Sequence, residues 1–301
     1  MKLLLTGDWH IDTNKPERRI DDYWQTVQKK IAFILRLAKK HNCELILQPG
    51  DFFNSHKAND FLKRYMIKEL TRVGVKVVTI FGQHDLRYHS SDTLNTPLAV
   101  LNSAGVLHVA FSDPIDFGHT HIYGASWYEN IPKPLAKNVL NILICHKMII
   151  KNEKVWEGQE DATMGNILLK KSGMDLIVSG DNHLHFTITT KSGKHLVNCG
   201  SLLRTNIDQV DHTPLVYTYN TEDRTITPHE VPHKPFSKVF DMSAYADEKE
   251  RDEELEAFVN RLAGEVGLGG LDFIKNMDSY TEENKKEIDA ATMGIIGEVM
   301  A

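Results

Sequence analysis

Three cysteines in 301 residues, Cys43, Cys145 and Cys199, are too few and too far apart to make a disulfide framework. Their scarcity and odd number point to a reducing compartment and a cytoplasmic location, with buried thiols as the default for Cys145 and Cys199. No apolar run approaches the ~18 residues of a membrane span. The opening Met1-Lys2-Leu3-Leu4-Leu5 is too short for a signal peptide and runs directly into Asp8 and His10, so it reads as a first strand. No internal repeat or low-complexity tract is present. Strong charge is also lacking overall, the formal net charge being −6. That charge is unevenly placed: residues 236–301 hold 16 acidic and 7 basic residues, leaving 25 acidic and 28 basic in 1–235. The first 235 residues are therefore mildly basic. This permits contact with DNA without the strongly basic footprint that would demonstrate it.

What is present is a series of short polar motifs, each directly after an apolar, β-branched run of strand length. Gly7-Asp8-Trp9-His10 follows the run 2–6, Gly50-Asp51 follows 44–48, and Gly82-Gln83-His84-Asp85 follows 75–81. Cys145-His146 follows 139–144, and Gly180-Asp181-Asn182-His183-Leu184-His185 follows 175–179. Strand ends of an open α/β sheet are where sites form. Asp8 and His10, two apart on an extended chain, share one side and make a natural chelate. Each motif alone has an ordinary explanation: a surface pair, a turn Asp, a core His. Together they deliver Asp, His and one amide without Cys, a donor set for hard-to-borderline divalent metals, two rather than one.

The spacing predicts a β-α-β-α-β run in the first half, with helices over 19–41 and 59–73 and Gly74 as a stop. Shorter strands are expected at 106–109, 121–123, 186–190, 195–198 and 214–219, with hairpin turns at 191–194 and 220–224. The fold class this implies is α/β: a four-layer α/β/β/α sandwich of two mixed sheets. Pro228, Pro232 and Pro235 mark a boundary between a domain at 1–235 and an acidic helical appendage at 236–301. In the appendage, Leu255, Phe258, Val259 and Leu262 make an apolar stripe, and a last helix is expected at 282–300. That stripe meets a partner helix or folds back on the core; the sequence leaves both open.

In this order, Asp-x-His, Gly-Asp, a Gly-amide-His-Asp turn, a lone His and a Gly-x-x-His segment resemble the signature of the calcineurin-like metallophosphoesterases, over about residues 1–220. Gly7-Asp8-Trp9-His10-Ile11, Gly50-Asp51-Phe52-Phe53 and Asn198-Cys199-Gly200-Ser201-Leu202-Leu203-Arg204 look most like the SbcD-type DNA repair nucleases. The resemblance implies the two-sheet sandwich fold and a dinuclear site. Asp8, His10, Asp51 and His183 would hold one metal; Asp51, Gln83, His146 and Asp181 would hold the other. Mn²⁺ is the first choice, with Mg²⁺, Fe²⁺ or Zn²⁺ as alternatives. His84 would be catalytic, steering the scissile phosphate and protonating the leaving oxygen, with Asp85 orienting it. The implied activity is exo- or endonucleolytic hydrolysis of DNA in repair or recombination, by a homodimer working beside an SbcC-type ATPase. A phosphatase or small-molecule phosphodiesterase shares the same metal core, and a binding scaffold with a degenerate site is a third reading. Two departures stand out. Gln83 replaces the family's Asn and is one methylene longer. The last motif has two registers: anchored on Gly180 it offers Asp181 and His183, and anchored on His-x-His it offers His183 and His185. The first keeps the strand-to-ligand distance and is preferred here. Arg87, Tyr88, His89, His56, Lys147 and Arg204 lie near these motifs and could touch substrate, but ordinary loop roles explain them equally well.

Overall fold

The computed structural model describes residues 1–87, 92–151 and 162–242. Tyr88, His89, the stripe from Leu255 to Leu262 and the expected last helix lie outside the described residues. Two compact units divide the chain, Met1–Asp241 and Met242–Ala301. The first unit thus runs past the expected boundary at 235/236, and Phe236, Val239 and Phe240 are buried within it.

In the first unit, β1 (Lys2–Leu5), α1 (Tyr23–Lys40), β2 (Leu45–Gln48), α2 (Asp60–Val73), β3 (Lys76–Thr79), α3 (Pro97–Ser103) and β4 (Leu107–Val109) come first. They are followed by β5 (Ile115–Asp116), β6 (Thr120–Ala125), β7 (Leu140–His146), β8 (Ile149–Ile150), β9 (Thr163–Met164) and α4 (Gly165–Lys171). The last are β10 (Leu176–Gly180), β11 (Phe186–Thr189), β12 (His195–Asn198), β13 (Leu215–Asn220) and β14 (Ile226–Glu230). Among the described residues these strands form one six-stranded sheet ordered β14-β13-β1-β2-β3-β4, a second ordered β11-β12-β10-β7-β6-β5, and a small β8-β9 pair. β1 to β4 run parallel, as do β6, β7, β10 and β12; the antiparallel partners lie toward the edges.

Strand periodicity sorts the side chains into three cores. Leu4, Ile46 and Val77 face α1, α2 and α3, meeting Ile31, Ile34, Met66 and Leu98. Their neighbours Leu3, Leu5, Leu45, Leu47 and Val78 point the other way and meet Ile142, Ile144, Leu176, Val178 and Val197 of the second sheet. Leu143, Cys145, Ile177 and Leu196 alternate onto that sheet's outer face, against Leu169 of α4. Each such buried aliphatic side chain contributes about 1.5–3 kcal/mol. The result is the four-layer α/β/β/α sandwich of two mixed sheets.

Local differences from the sequence reading have local causes. α1 begins at Tyr23, not at residue 19, because the Asp22 side chain accepts the Gln25 N–H and caps the helix. Ile20, which fits the helical spacing, lies before the cap and is 58% exposed. α2 ends at Gly74 in the left-handed region (φ 71°). Pro228 does not mark a boundary. It sits in edge strand β14 opposite Tyr217, where its missing N–H costs no ladder bond. The three cysteines are buried and free. Among the described residues no helix is long and apolar enough to cross a membrane.

Candidate metal centre

The parallel strands β1, β2 and β3 of one sheet and β7 and β10 of the other all end at one side of the sandwich, and the polar motifs follow those ends. The two sheets touch there. Asp8 bridges Ser201, the Leu202 N–H donates to the Asp8 carbonyl, and a Cβ on Gly7 would lie 1.7 Å from the Gly200 carbonyl oxygen. Three non-glycine residues at these strand ends hold positive φ: His10 (43°), Asp51 (48°) and Asp181 (77°). Such backbone strain persists only where surrounding bonds fix it, and it clusters at functional sites. Here the bonds are visible: the N–H groups of Trp9 and His10 both donate to the Asp51 carbonyl, and the Asp181 N–H donates to Asp8 Oδ2.

The side chains converge. His10 Nε2 is 3.1 Å from His183 Nε2 and 3.7 Å from Asp51 Oδ2. His183 Nε2 is 3.7 Å from Asp8 Oδ2, and His146 Nε2 is 3.4 Å from Asp51 Oδ2. Three overlapping sets, Asp8–His10–His183, His10–Asp51–His84 and Asp8–Asp51–His146, each bring one donor atom per residue within 4.8 Å of one another. Asp8, His10, Asp51 and His146 are buried. Asp8 Oδ1, Asp51 Oδ2, His146 Nε2, His10 Nδ1 and Gln83 Oε1 are buried without a hydrogen-bond partner. Burying so many lone pairs unsatisfied is costly, and a cation at their focus removes the cost. The donor chemistry fits a divalent metal pair. His146 donates from Nδ1 to the Pro49 carbonyl at 2.6 Å, which leaves Nε2 as the coordinating atom, the usual outer hydrogen bond of a metal-binding imidazole.

The electrostatics agree. Burial raises the Asp8 carboxyl well above its usual range, with the charges of Asp51 and Asp181 adding to the effect and His146 opposing it. Burial would raise Asp51 too, but His146, His10 and His84 beside it hold it below the usual range. Burial would lower His146, yet Asp51, Asp8 and Asp181 carry it up to about 10. Burial lowers His10 to about 3 against the opposing charge of Asp51, with His183, His84 and His146 adding to the effect of burial. Three carboxylates, Asp8, Asp51 and Asp181, thus act together on the His146 imidazole, a concentration of negative charge that favours a cation.

His84 differs from these groups: its side chain is 43% exposed, with Nε2 4.0 Å from Asp51 Oδ2. Its Nδ1 lies 3.0 Å from the Asn54 carbonyl oxygen, and its N–H donates to Asp51 Oδ1. The carbonyl can only accept, so Nδ1 carries the hydrogen and Nε2 faces the site. The expectation that Asp85 orients His84 is corrected by the geometry. The buried Asp85 carboxylate accepts from the N–H groups of Phe52, Phe53 and Gly82, tying the loops after β2 and β3 together. Burial, and then the charge of Asp51, raise it to about 7 against those three donors. Gln83 donates from Nε2 to Asp181 Oδ1 at 2.9 Å. Asp181 is therefore beside the site but outside the three donor sets. His183, common to both registers, reaches the centre, whereas His185 is outside the three donor sets, its ring 6.0 Å from that of His212. Arg204 is buried over the Phe236 ring and donates to the Lys234 carbonyl, a structural role. Lys147 donates to the Trp127 carbonyl. His56 is partly exposed and Arg87 exposed. Sequence reasoning missed Asn54, which acts through a backbone carbonyl, and backbone atoms carry no residue signature.

The family model for calcineurin-like phosphoesterases matches residues 1–185, a span that includes every motif of the site. The chain belongs to the calcineurin-like phosphoesterase family. Members of this family are metallophosphoesterases, hydrolases that use two divalent metals, and the clusters above are able to hold such ions. Among curated relatives, this phosphoesterase is 33% identical over 95 residues to "Exonuclease subunit 1" of Enterobacteria phage T4, covering 29% of the chain and 26% of the relative. It is 23% identical over 321 aligned positions to "Double-strand break repair protein MRE11" of Encephalitozoon cuniculi (strain GB-M1), covering 89% of the chain and 53% of the relative. The chain thus spans about a quarter and about half of the lengths of these two relatives. A solved protein of Thermus thermophilus shares the fold with TM-score 0.50 at 11% identity, over 77% of this chain and 99% of that one.

Proposed function

We propose that this phosphoesterase is a nuclease that hydrolyses phosphodiester bonds of DNA. The observation that carries a hydrolytic reading is the contrast between buried Asp8, His10, Asp51 and His146 and the half-exposed imidazole of His84 beside them. The choice of DNA is supported by the two curated relatives, one named an exonuclease subunit and the other a break-repair protein. It is supported further by the SbcD-like stretches and by the mildly basic balance of residues 1–235.

Asp8, His10, Asp51 and His183 would hold one cation, and Asp51, Gln83, His146 and Asp181 the other. Cations bound there supply charge neutralisation at the phosphate and lower the pKa of water. The carboxylates of Asp8 and Asp51 with Asp181 nearby make a hard donor set, which favours Mn²⁺ or Mg²⁺ over softer ions. The chain's own groups do the rest. His84, with its Nδ1–H held by the Asn54 carbonyl, presents Nε2 to the site, and in its imidazolium form Nε2 would carry the proton that passes to the leaving oxygen. Asp85 holds the loops that carry Asp51 and His84 in one relative position. In this reading the protein acts in the cytoplasm in DNA repair or recombination, as a dimer beside an SbcC-type ATPase. Residues 236–301 carry nine more acidic than basic side chains. Such a charge balance repels a phosphate backbone and suits a protein partner better than DNA.

Incubation of the full chain with Mn²⁺ and linear duplex DNA, single-stranded DNA, a nucleoside monophosphate and bis(p-nitrophenyl) phosphate tests the reading. Cleavage of DNA, abolished by chelator and by His10→Ala, is the expected result. Turnover of the monophosphate with DNA left intact would make the protein a phosphatase and overturn the proposal.

A further inference from the structure

The His84 side chain is 43% exposed at the site, with Nε2 4.0 Å from Asp51 Oδ2. The ring of His10 meets the His84 ring edge-on at 4.9 Å, and among the described residues the His84 ring is hydrogen-bonded to the Asn54 carbonyl. What holds that carbonyl in place is therefore what aims the imidazole. Asn54 follows the segment that Asp85 grips through the Phe52 and Phe53 N–H groups. From the other side it is gripped by the loop after His10. The Asn54 N–H donates to the Ile11 carbonyl, Ile11 bridges Phe53, and the Asn54 side chain donates from Nδ2 to Asp12 Oδ2 at 3.2 Å. Asp12 is itself buried and fixed, its Oδ1 accepting the Asn14 N–H at 2.9 Å.

We propose that Asp12 and Asn54 form a positioning pair for His84, locking the tautomer and the direction in which Nε2 is presented. The inference rests on the reading of His84 as a proton donor. Three loops take part. The loop after β1 supplies Asp12, the loop after β2 supplies the Asn54 carbonyl, and the loop after β3 supplies His84. Neither Asp12 nor Asn54 need touch substrate or metal. Their effect passes through one hydrogen bond, Nδ1–H to carbonyl, and on to the ring. Loss of the side-chain link frees the Asn54 peptide to turn, and the imidazole then samples both tautomers and a range of angles.

The test uses the full chain with Mn²⁺ and bis(p-nitrophenyl) phosphate, together with ¹⁵N NMR of the histidine rings. Asp12→Ala and Asn54→Ala should each lower kcat about tenfold, the rate equivalent of one hydrogen bond, with KM and cation content unchanged. The His84 ring signals should change from a single Nδ1–H tautomer to a mixture. In a His84→Ala background neither substitution should lower the rate further, because the pair acts through that ring. The exchanged variant Asp12→Asn/Asn54→Asp reverses the donor and acceptor, and should recover most of the rate and the single tautomer. It also keeps the proposal testable if a single variant folds poorly. An unchanged His84 tautomer in both single variants would overturn the proposal, as would equal rate losses with and without His84. A His84→Ala variant with wild-type rate would overturn the catalytic reading instead, and the ring spectra would still test the positioning.

Discussion

Replacing Gly180 by Ala adds one methyl group where three polar atoms already meet. Its Cβ would lie 2.3 Å from Asp8 Oδ1, 2.7 Å from the Pro49 carbonyl oxygen and 2.8 Å from His146 Nδ1. Ordinary contact begins near 3.4 Å, so the Asp8 carboxylate must yield by about 1 Å. The Pro49 carbonyl and the His146 ring cannot yield freely, because they are bonded to each other. Overpacking of this kind costs about 1–3 kcal/mol of stability, or roughly 2–12 °C in Tm for a domain of this size. The effect on cation binding should be larger in proportion, since ligand positions are tolerated to only about 0.2 Å. We expect the folded variant to lose Mn²⁺ affinity at least tenfold by isothermal titration and to lose phosphodiester hydrolysis with it. Gly193→Ala is the control. A Cβ there meets nothing within 4 Å, but φ is +74°, so it should cost about 1 kcal/mol and leave Mn²⁺ binding unchanged. If Gly180→Ala binds two ions as tightly as the wild type, Asp8 and His146 are not where the ions sit.

His84→Ala should slow hydrolysis about 10²–10⁴-fold with metal content nearly unchanged; loss of metal by elemental analysis would make His84 a ligand. His183→Ala should weaken one cation by more than the 10–100-fold that an outer hydrogen-bond partner is worth, and His185→Ala should leave both in place. Equal losses in titration would return the His-x-His register. Lys30 offers a test away from the site. Burial, then the charges of Arg204 and Arg19, lower its ammonium to about 7 from 10.5. Between those two values the unfolded chain binds the extra proton, so stability should rise with pH across that window. Urea titrations of Lys30→Met should show that rise flattened, and an unchanged slope would show that Lys30 is not the group responsible.

How much of this was legible in the sequence depended on the kind of feature. Buried parallel strands such as β2, β7 and β10 read as continuous apolar runs, and their ends are marked by Gly50, Gly180 and the polar residues after them. The sandwich followed from that reading. α3 and α4, seven residues each, are too short to show a helical period, and β5, β8 and β9 are two-residue strands. Ile20 misled because spacing cannot see that Asp22 caps the helix two residues later. Pro228 misled because a proline at an edge and a proline at a boundary look alike in sequence. At the site, residue types pointed to Asp8, His10, Asp51, His84, His146 and His183. They did not reveal that Asp85 serves backbone amides, nor that Asn54 holds His84, because both are facts of tertiary contact. The positive φ of His10, Asp51 and Asp181 also carries no mark in sequence, since none is a glycine.

The donors come from both sheets: Asp8, His10, Asp51 and Gln83 follow strands of one, while His146 ends a strand of the other and Asp181 and His183 follow its neighbour. An ion seated among them would be a clasp as well as a reagent. The site exists only while the two sheets are docked, so the affinity for the ion becomes part of the free energy that keeps them docked. At an ion concentration a hundred times the Kd, that linkage is worth about 2.7 kcal/mol, a large share of the margin by which an ordinary domain stays folded. A chelator would then do more than stop turnover. It would loosen the seam between the sheets, speed amide exchange in β7 and β10, and lower the melting temperature, so that metal supply would govern the lifetime of the protein as well as its rate.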